Sequence, residues 1–309
     1  MTFISIITPC YNEEDNVEEL YQRVKAAMNS LPDYTYEHIF IDNSSVDNTV
    51  AKLKLIAASD RNVKIIVNMK NFGQNRSPLH ALMQSTGVAV IGLAADLQDP
   101  PELIPEFIKK WEQGYMAVMG VKTKSEEAWA MYKFRTLYYR ILKLISSEDQ
   151  IENATGFGLY DRQIIEMVRS LGEVEPYFRG LVVELGYPLA LVEYTQPARK
   201  RGITKNNLFT LYEMGMLGIT SYSKVPIRLA TLVGFGSALM SFLVGIFYLI
   251  YKLVYWNSFS LGLAPVVVGL FFFGSVQLFF LGIMGEYIGA INAKVTRRPM
   301  VIEKERINF

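Results

Sequence analysis

Thr8-Pro9-Cys10-Tyr11-Asn12-Glu13-Glu14 sets an aromatic ring, an amide and two acids directly behind the apolar run Phe3-Ile4-Ser5-Ile6-Ile7. Tyr11 could stack on a base while Asn12 and Glu13 hydrogen-bond a ribose; the same residues also read as a polar turn capping the next helix. Asp42 follows a second apolar run in Ile41-Asp42-Asn43-Ser44-Ser45-Val46-Asp47 and can accept from a ring N–H or a ribose hydroxyl, whereas Asp47 reads as a helix-start acid. Asp96 follows another in Leu93-Ala94-Ala95-Asp96-Leu97-Gln98-Asp99-Pro100-Pro101. A carboxylate there suits a hard cation, because Mg²⁺ or Mn²⁺ is held by one or two carboxylates together with substrate phosphates. Asp96 and Asp99 also read as caps of the helix that the prolines open, Asp99 more than Asp96. Arg199-Lys200-Arg201-Gly202-Ile203-Thr204-Lys205 concentrates cations in a loop fit to grip phosphate or to mark the inner side of a membrane. No glycine-rich turn follows the first apolar run, Gly156-Phe157-Gly158 lacks a third glycine, and there is no Walker-type loop. Nicotinamide redox chemistry and P-loop phosphoryl transfer therefore lose support.

The elements that must position these residues alternate. Phe3–Thr8, Tyr36–Ile41, Val63–Val67, Val88–Leu93 and Met116–Val121 read as strands. Helices are expected after Asp15 or Asn16, over Val46–Ala58, and from Pro100-Pro101 to about Gln113. This alternation predicts βαβ units and a mainly parallel sheet, in which ligands sit beyond the carboxyl ends of the strands. That rule selects the loops holding Tyr11, Asp42, Asn71 and Asp96.

The chain has 309 residues, 31 basic against 30 acidic, and half of them are hydrophobic. Near-neutral charge argues against a general nucleic-acid binder, and the apolar content excludes disorder. The single cysteine, Cys10, rules out an internal disulfide and leaves no basis for a cysteine metal site. The first residues lack a basic n-region, so no signal peptide is expected. No charge occurs from Leu229 to Tyr251, or between Lys252 and Glu286. Each gap exceeds the roughly 20 residues that cross a bilayer core. Two spans are therefore expected, at about 227–251 and 263–290, joined by a linker carrying Tyr255 and Trp256. Lys224, Arg228, Lys294, Arg297, Arg298, Lys304 and Arg306 flank the outer ends, against Lys252 alone on the far side. The positive-inside rule then makes a hairpin with both termini and the catalytic part cytoplasmic. Trp129–Ile145, aromatic and basic, reads either as an interfacial helix or as one packed on the sheet; Asn207–Tyr222 favours the interface.

In this order, followed by two spans, Thr8-Pro9-x-Tyr11-Asn12-Glu13-Glu14, Ile41-Asp42-x-Ser44-Ser45-x-Asp47, Asn71-Phe72-Gly73, Asp96-Leu97-Gln98-Asp99-Pro100-Pro101-Glu102 and Arg199-x-x-Gly202-x-Thr204-Lys205 form a specific pattern. Across its length the chain resembles family 2 inverting glycosyltransferases of the GT-A fold, of the dolichol-phosphate-mannose-synthase type and its bactoprenol glucosyltransferase branch. The resemblance implies an α/β GT-A domain over 1–196, a basic loop and juxtamembrane helix over 197–226, two membrane helices over 227–291 and a cytoplasmic tail over 292–309. It implies that Pro9, Tyr11, Asn12, Glu13, Asp42, Gly73, Ala95, Asp96 and Gln98 hold the nucleotide sugar. Asp96 would hold Mg²⁺ or Mn²⁺, and Arg199, Lys200, Arg201 and Lys205 would hold a lipid phosphate. Asp96, Arg199, Lys205 and, more weakly, Asp161 would be the catalytic residues. The chain departs from the pattern at Ala94, where the first metal-motif acid is expected, at Asn43, the usual second acid after strand two, and at Gly156, which often is an acid.

The implied reaction is inverting transfer of a hexose, glucose from UDP-glucose by branch, to polyprenyl phosphate at the inner membrane face, by a chain that a homo-oligomer would also suit. GDP-mannose or another donor would fit the same residues. A processive polysaccharide synthase would need a Gln-x-x-Arg-Trp motif and more spans, and neither Trp111 nor Trp129 follows an arginine. A tethered, non-catalytic binding or transport protein is the rival that Ala94 and Asn43 leave open.

Overall fold

A computed structural model describes residues 1–124, 151, 154–172, 178–197, 225–255, 263–295 and 299–309. The expected helix over Trp129–Ile145, the stretch Asn207–Tyr222, and the residues Arg199, Lys200, Arg201, Lys205, Lys224, Trp256, Arg297 and Arg298 lie outside the described residues.

The chain runs β1 (Thr2–Cys10), α1 (Val17–Asn29), β2 (Tyr34–Asp42), α2 (Thr49–Ser59), β3 (Val63–Asn68), α3 (Gly73–Gln84), β4 (Ala89–Gly92), a 3₁₀ turn (Pro101–Leu103), α4 (Ile104–Glu112), β5 (Ala117–Lys124) and β6 (Ala154–Asp161). It continues with α5 (Arg162–Leu171), α6 (Phe178–Glu184), β7 (Leu189–Thr195), the long helices α7 (Val225–Val254) and α8 (Leu263–Val295), and β8 (Glu303–Ile307). The strands form one sheet in the order β7-β5-β6-β4-β1-β2-β3-β8. Its centre is parallel, β4-β1-β2-β3, with Thr8 beside Phe40 and Cys10 beside Asp42. β6 and β8 run antiparallel to their neighbours. The mainly parallel α/β sheet expected from the alternation is therefore present.

β1 and β2 are buried on both faces, as central strands of such a sheet must be, so they read as apolar runs rather than alternating ones. Side chains still alternate between two cores. Ile4, Ile6, Phe40 and Ile65 meet Val17, Leu20, Val24, Leu53 and Phe107 from α1, α2 and α4. Ile7, Ile39, Ile41 and Ile66 meet Leu79, Leu82, Ile164, Ile165 and Val182 from α3, α5 and α6. The spacing of Val17, Leu20, Tyr21, Val24 and Met28 gives α1 its single buried face.

The stretch after α8 folds back onto the sheet. Its last residues form β8 on the edge of β3, pairing Ile65 with Ile307 and Val67 with Glu305. Lys54 bonds Glu305 (2.6 Å), His80 bonds Glu303 (2.6 Å), and the Asn308 amide donates to the carbonyls of Ala57 and Val63 (both 2.8 Å). Both expected spans are helices. Among the described residues one window, Phe272–Gly289, is long and apolar enough to cross a membrane, with none of it buried; Val225–Ser237 is a shorter apolar stretch. By length and composition, one of the two expected spans qualifies as a membrane-crossing candidate among the described residues, and the hairpin is not confirmed. Large apolar side chains on both helices are bare, among them Leu232 (72% exposed) and Leu278 (71%).

Candidate functional site

The loops leaving β1, β2, β3 and β4 converge at the carboxyl end of the parallel strands. A cleft of about 430 Å³ opens there, lined by Pro9 from β1, Gln74 and Asn75 from α3, Asp96 and Gln98 from the loop after β4, and Arg179 from α6. The backbone turns sharply at three of these exits. Asn12 (φ 55°), Ser44 (φ 65°) and Leu97 (φ 61°) all adopt left-handed conformations that non-glycine residues seldom take. Such strain persists only where the surroundings over-determine it, and it clusters at ligand sites.

The β1 and β2 loops are stitched together. The Asn12 amide N–H donates to Ser45 Oγ (2.8 Å), and the Val46 N–H donates to Asn12 Oδ1 (2.8 Å). Glu13 N–H donates to Thr49 Oγ1 (2.9 Å), and Glu13 Oε2 accepts from the Asn16 amide (2.6 Å). The side chains of Asn12 and Glu13 thus brace loops, closer to the polar-turn reading than to the ribose one. Tyr11 is half-buried in the same loop. Asp47 precedes Asn48, the N-cap residue of α2, so the first turn holds no acid; Asp47 instead accepts from the amide (3.0 Å) and hydroxyl (2.5 Å) of Thr49. Asn16, not Asp15, is the N-cap residue of α1.

Asp42 ends β2 with no solvent exposure. Its Oδ2 accepts from the Ser45 N–H (2.9 Å), while Oδ1 has no partner. Burial pushes its carboxyl above the usual range, against the Ser45 hydroxyl and the amides of Ser45 and Ser44. A buried acceptor left unpaired costs free energy unless something fills it.

Asp96 lies in the turn after β4, half-buried, with Oδ1 accepting from the Gln98 N–H (3.2 Å). Ala95 is buried and contributes only backbone to that turn. The Gln98 amide donates to the Pro197 carbonyl (3.5 Å), tying this turn to the chain just before the Arg199–Lys205 segment. Asp99 does not cap the proline-initiated helix. It is buried, and it accepts from the Ala94 N–H (3.0 Å) and the Tyr194 hydroxyl (3.0 Å), locking the β4 loop onto β7. Burial, aided by the nearby Asp96 charge, holds its carboxyl above the usual range. With its oxygens so engaged, Asp99 is a loop brace rather than a cation ligand.

Gly73 opens α3 at φ +84°, a conformation that glycine adopts without strain, and a Cβ there would touch nothing. Gly156 borders the cleft with open space above it. Asp161 is a correction. β6 runs antiparallel to β4, so Asp161 pairs with Ala89 at the opposite end of the strand from Asp96. There it caps α5 through the Gln163 N–H (2.9 Å) and accepts from the Trp111 indole (2.8 Å). Both oxygens serve the fold, and the weak catalytic assignment is dropped.

A cation site must therefore rest on Asp96. No group of three His, Cys, Asp or Glu side chains gathers among the described residues. One carboxylate with a neighbouring amide carbonyl, in an open cleft, fits an Mg²⁺ or Mn²⁺ ion that takes its other ligands from a diphosphate and water. Sequence reasoning overlooked Lys122 and Arg179, which line the same cleft. They come from β5 and α6, far apart in sequence, and the fold brings both to the cleft that Asp96 lines.

The glycosyl transferase family 2 model matches residues 5–168. The chain is 34% identical over 299 residues to an uncharacterized glycosyltransferase, YkcC, of Bacillus subtilis (strain 168), covering 96% of this chain and 92% of that protein. It is 34% identical over 303 residues to the bactoprenol glucosyl transferase of Shigella phage SfII, covering 98% and 97%. Among solved structures, the fold is similar to glucosyl-3-phosphoglycerate synthase from Mycobacterium tuberculosis in complex with Mn²⁺, UDP and phosphoglyceric acid (TM-score 0.52, 18% identity, 71% of this chain and 76% of that one). It is also similar to mannosyl-3-phosphoglycerate synthase from Rubrobacter xylanophilus (TM-score 0.50, 17% identity, 74% of each chain).

Proposed function

This chain belongs to glycosyl transferase family 2 and is a glycosyltransferase, and from that premise we propose that it transfers glucose from UDP-glucose to polyprenyl phosphate at the cytoplasmic face of a membrane. The observation that carries the proposal is the meeting of Asp96, Pro9 and Arg179 in one cleft beyond the parallel strands, in a chain similar over its length to a bactoprenol glucosyl transferase. An oxygen of the lipid phosphate attacks the anomeric carbon. The bond from that carbon to the diphosphate oxygen breaks, UDP leaves with the electron pair, and the configuration inverts. The nucleophile is already an anion near neutral pH, so no strong base is required. What the protein must supply is position, and offset of the repulsion between two phosphorylated substrates.

In this reading, the unpaired Asp42 Oδ1 accepts the imino N–H of the base, Tyr11 stacks on it, and the Gly73 turn lets backbone approach the nucleotide. Asp96 and Gln98 face the diphosphate. Asp96 would hold an Mg²⁺ or Mn²⁺ ion, which would supply charge neutralisation for the leaving diphosphate. The Arg199, Lys200, Arg201 and Lys205 segment begins two residues after Pro197, to which Gln98 is bonded, and grips the lipid phosphate. The helices α7 and α8 form a hairpin in the bilayer, supported by their bare apolar faces and by the excess of cations at one end of the pair. The test is to incubate membranes containing the protein with radiolabelled UDP-glucose and polyprenyl phosphate. Labelled lipid, released as glucose by mild acid, is expected. Label from GDP-mannose instead would replace the sugar assigned here, and label in water-soluble product alone would overturn the lipid acceptor.

A further inference from the structure

We infer that the side-chain amide of Asn43 is a positioning residue for the donor site, holding the Asn71-Phe72-Gly73 loop at the distance the nucleotide requires. Asn43 is 7% exposed and uses all its hydrogen-bonding capacity. Its Nδ2 donates to Asn71 Oδ1 (2.8 Å) and to the Gly73 carbonyl (3.0 Å). Its Oδ1 accepts from the Phe72 N–H (2.9 Å) and from the Asn68 amide (3.2 Å). The partners fix which end is which: a backbone N–H must meet oxygen, and a carbonyl must meet nitrogen. Asn71 Oδ1 in turn accepts from the Gly73 N–H (2.8 Å), so one amide organises the whole turn into α3. That turn delivers Gln74 and Asn75 to the cleft that Asp96 also lines. Asn43 itself is held by its N–H to the Cys10 carbonyl (2.9 Å), so hydrogen bonds tie together the chain after β1, β2 and β3.

The chemistry of the position is narrow. A carboxylate of the same shape accepts but cannot donate, and it would face two oxygens, Asn71 Oδ1 and the Gly73 carbonyl, across hydrogen-bond distance. Asp42 and Asn43 are adjacent, yet they divide the work. Asp42 offers an empty acceptor, whereas Asn43 is saturated within the protein and has nothing left for a ligand. It acts through the loop, not by touch.

The inference rests on the donor reading above, and the experiment separates the two. In Asn43→Asp, hydrogen–deuterium exchange at the Phe72 and Gly73 amides should rise about tenfold, with no nucleotide present. In transfer assays the donor KM should rise about tenfold, the effect of roughly one lost hydrogen bond, while kcat at saturating donor and the acceptor KM stay within about twofold of wild type. Simple loss of structure would instead lower kcat through a smaller active fraction and leave both KM values in place, and that outcome overturns the inference. So would exchange at Phe72 and Gly73 equal to wild type. Should Asn43→Asp fail to fold, Asn71→Ala removes one arm of the network at an exposed position, and a donor KM raised about threefold is expected. An unchanged donor KM there also overturns it. If wild-type protein binds no UDP but uses another nucleotide sugar, the donor reading changes, and the same exchange and KM comparison is made with the active donor.

Discussion

At the amino ends of the parallel strands, the buried Glu37 carboxylate accepts from Ser5 Oγ (2.5 Å), from the Thr86 N–H and hydroxyl (both 2.8 Å) and from Lys64 Nζ (2.6 Å). Arg162 closes the cluster on the Gly87 carbonyl, and a Cβ at Gly87 would sit 2.5 Å from the Ser5 nitrogen, so the strands meet there with no slack. At the carboxyl ends of the same strands, Asp42 Oδ1, Asn68 Oδ1 and Asn16 Oδ1 are buried without partners, and three non-glycine residues bend into the left-handed region. The amino end is the closed one, although Asn308 (φ 63°) bends there too and His38 Nδ1 is unpartnered within β2. The carboxyl end, the open one, gathers most of the unmet acceptors and of the left-handed turns. A fold that saturates its polar groups at one end leaves them open at the other where a ligand completes them.

Breaking the closed end should have the largest effect on stability and none on the chemistry. Burial alone would raise the Glu37 carboxyl, but Lys64, Ser5 and Thr86 together hold it below the usual range. Glu37→Ala strands those donors and should cost about 3–5 kcal/mol in denaturant unfolding. The folded fraction should bind UDP as wild type does, and weakened nucleotide binding would dissolve the contrast between the ends. At the open end the order reverses. Asp96→Ala removes one bond, to the Gln98 N–H, and should leave the melting temperature nearly unmoved. Transfer should fall on the order of 10²–10³-fold. Near-normal transfer by purified Asp96→Ala would sink the cation assignment.

Asp42→Asn sharpens the contrast further. Because burial raises the folded-state pKa of Asp42, its ionised form is disfavoured in the folded chain. It therefore subtracts stability as pH rises above its unfolded value, and more so at neutral pH than in acid. Replacing it with an amide should raise the melting temperature at neutral pH, with the gain fading as pH falls toward the usual carboxylate range. The same change should weaken UDP binding about tenfold by losing a charged acceptor. Stability gained with affinity lost is the signature of a site residue; loss of both would make Asp42 a structural acid.

Much of this was legible from sequence because the central strands are buried on both faces and announce themselves as apolar runs. β1, β2 and β3 extend the expected strands by one to a few residues at their ends. α3 was not legible: Gly73, Pro78 and its polar residues break any periodicity, and packing of Leu79 and Leu82 on the sheet makes it a helix. β6 hides behind Gly156 and Gly158, the second of which must be bare because a Cβ would lie 2.5 Å from the Val118 carbonyl. β8, Glu-Lys-Glu-Arg-Ile, carries the charges that protect a sheet edge, and it pairs through backbone that no side-chain pattern reports. In the site, Asp42 and Asp96 were readable because an acid after a buried strand points into the crevice. Asp161 entered only through the resemblance of its segment to a family stretch, and the antiparallel course of β6 carries it to the far end of the sheet.

β8 joins the two regions compared above, since it covers β3 along the half that leads to the open end. Glu303 there bonds His80 of α3 and Arg306 of its own strand. Arg306, against partial burial and helped by His80, holds the Glu303 carboxyl below its usual range. A lowered folded-state pKa means that the stabilisation is fully present above the unfolded pKa of about 4.3 and lost as pH falls through the lower folded value. Glu303→Gln should therefore cost less than about 1 kcal/mol near neutral pH, and the difference from wild type should vanish in acid, where both side chains are uncharged. Thermal melts across that range read the effect directly. Donor KM should stay at its wild-type value throughout, because Asn43, not the tail, fixes the loop that leads into α3. A donor KM that changes with Glu303 would instead extend the open end of the sheet through α3 to the edge strand, and would couple β8 to nucleotide binding.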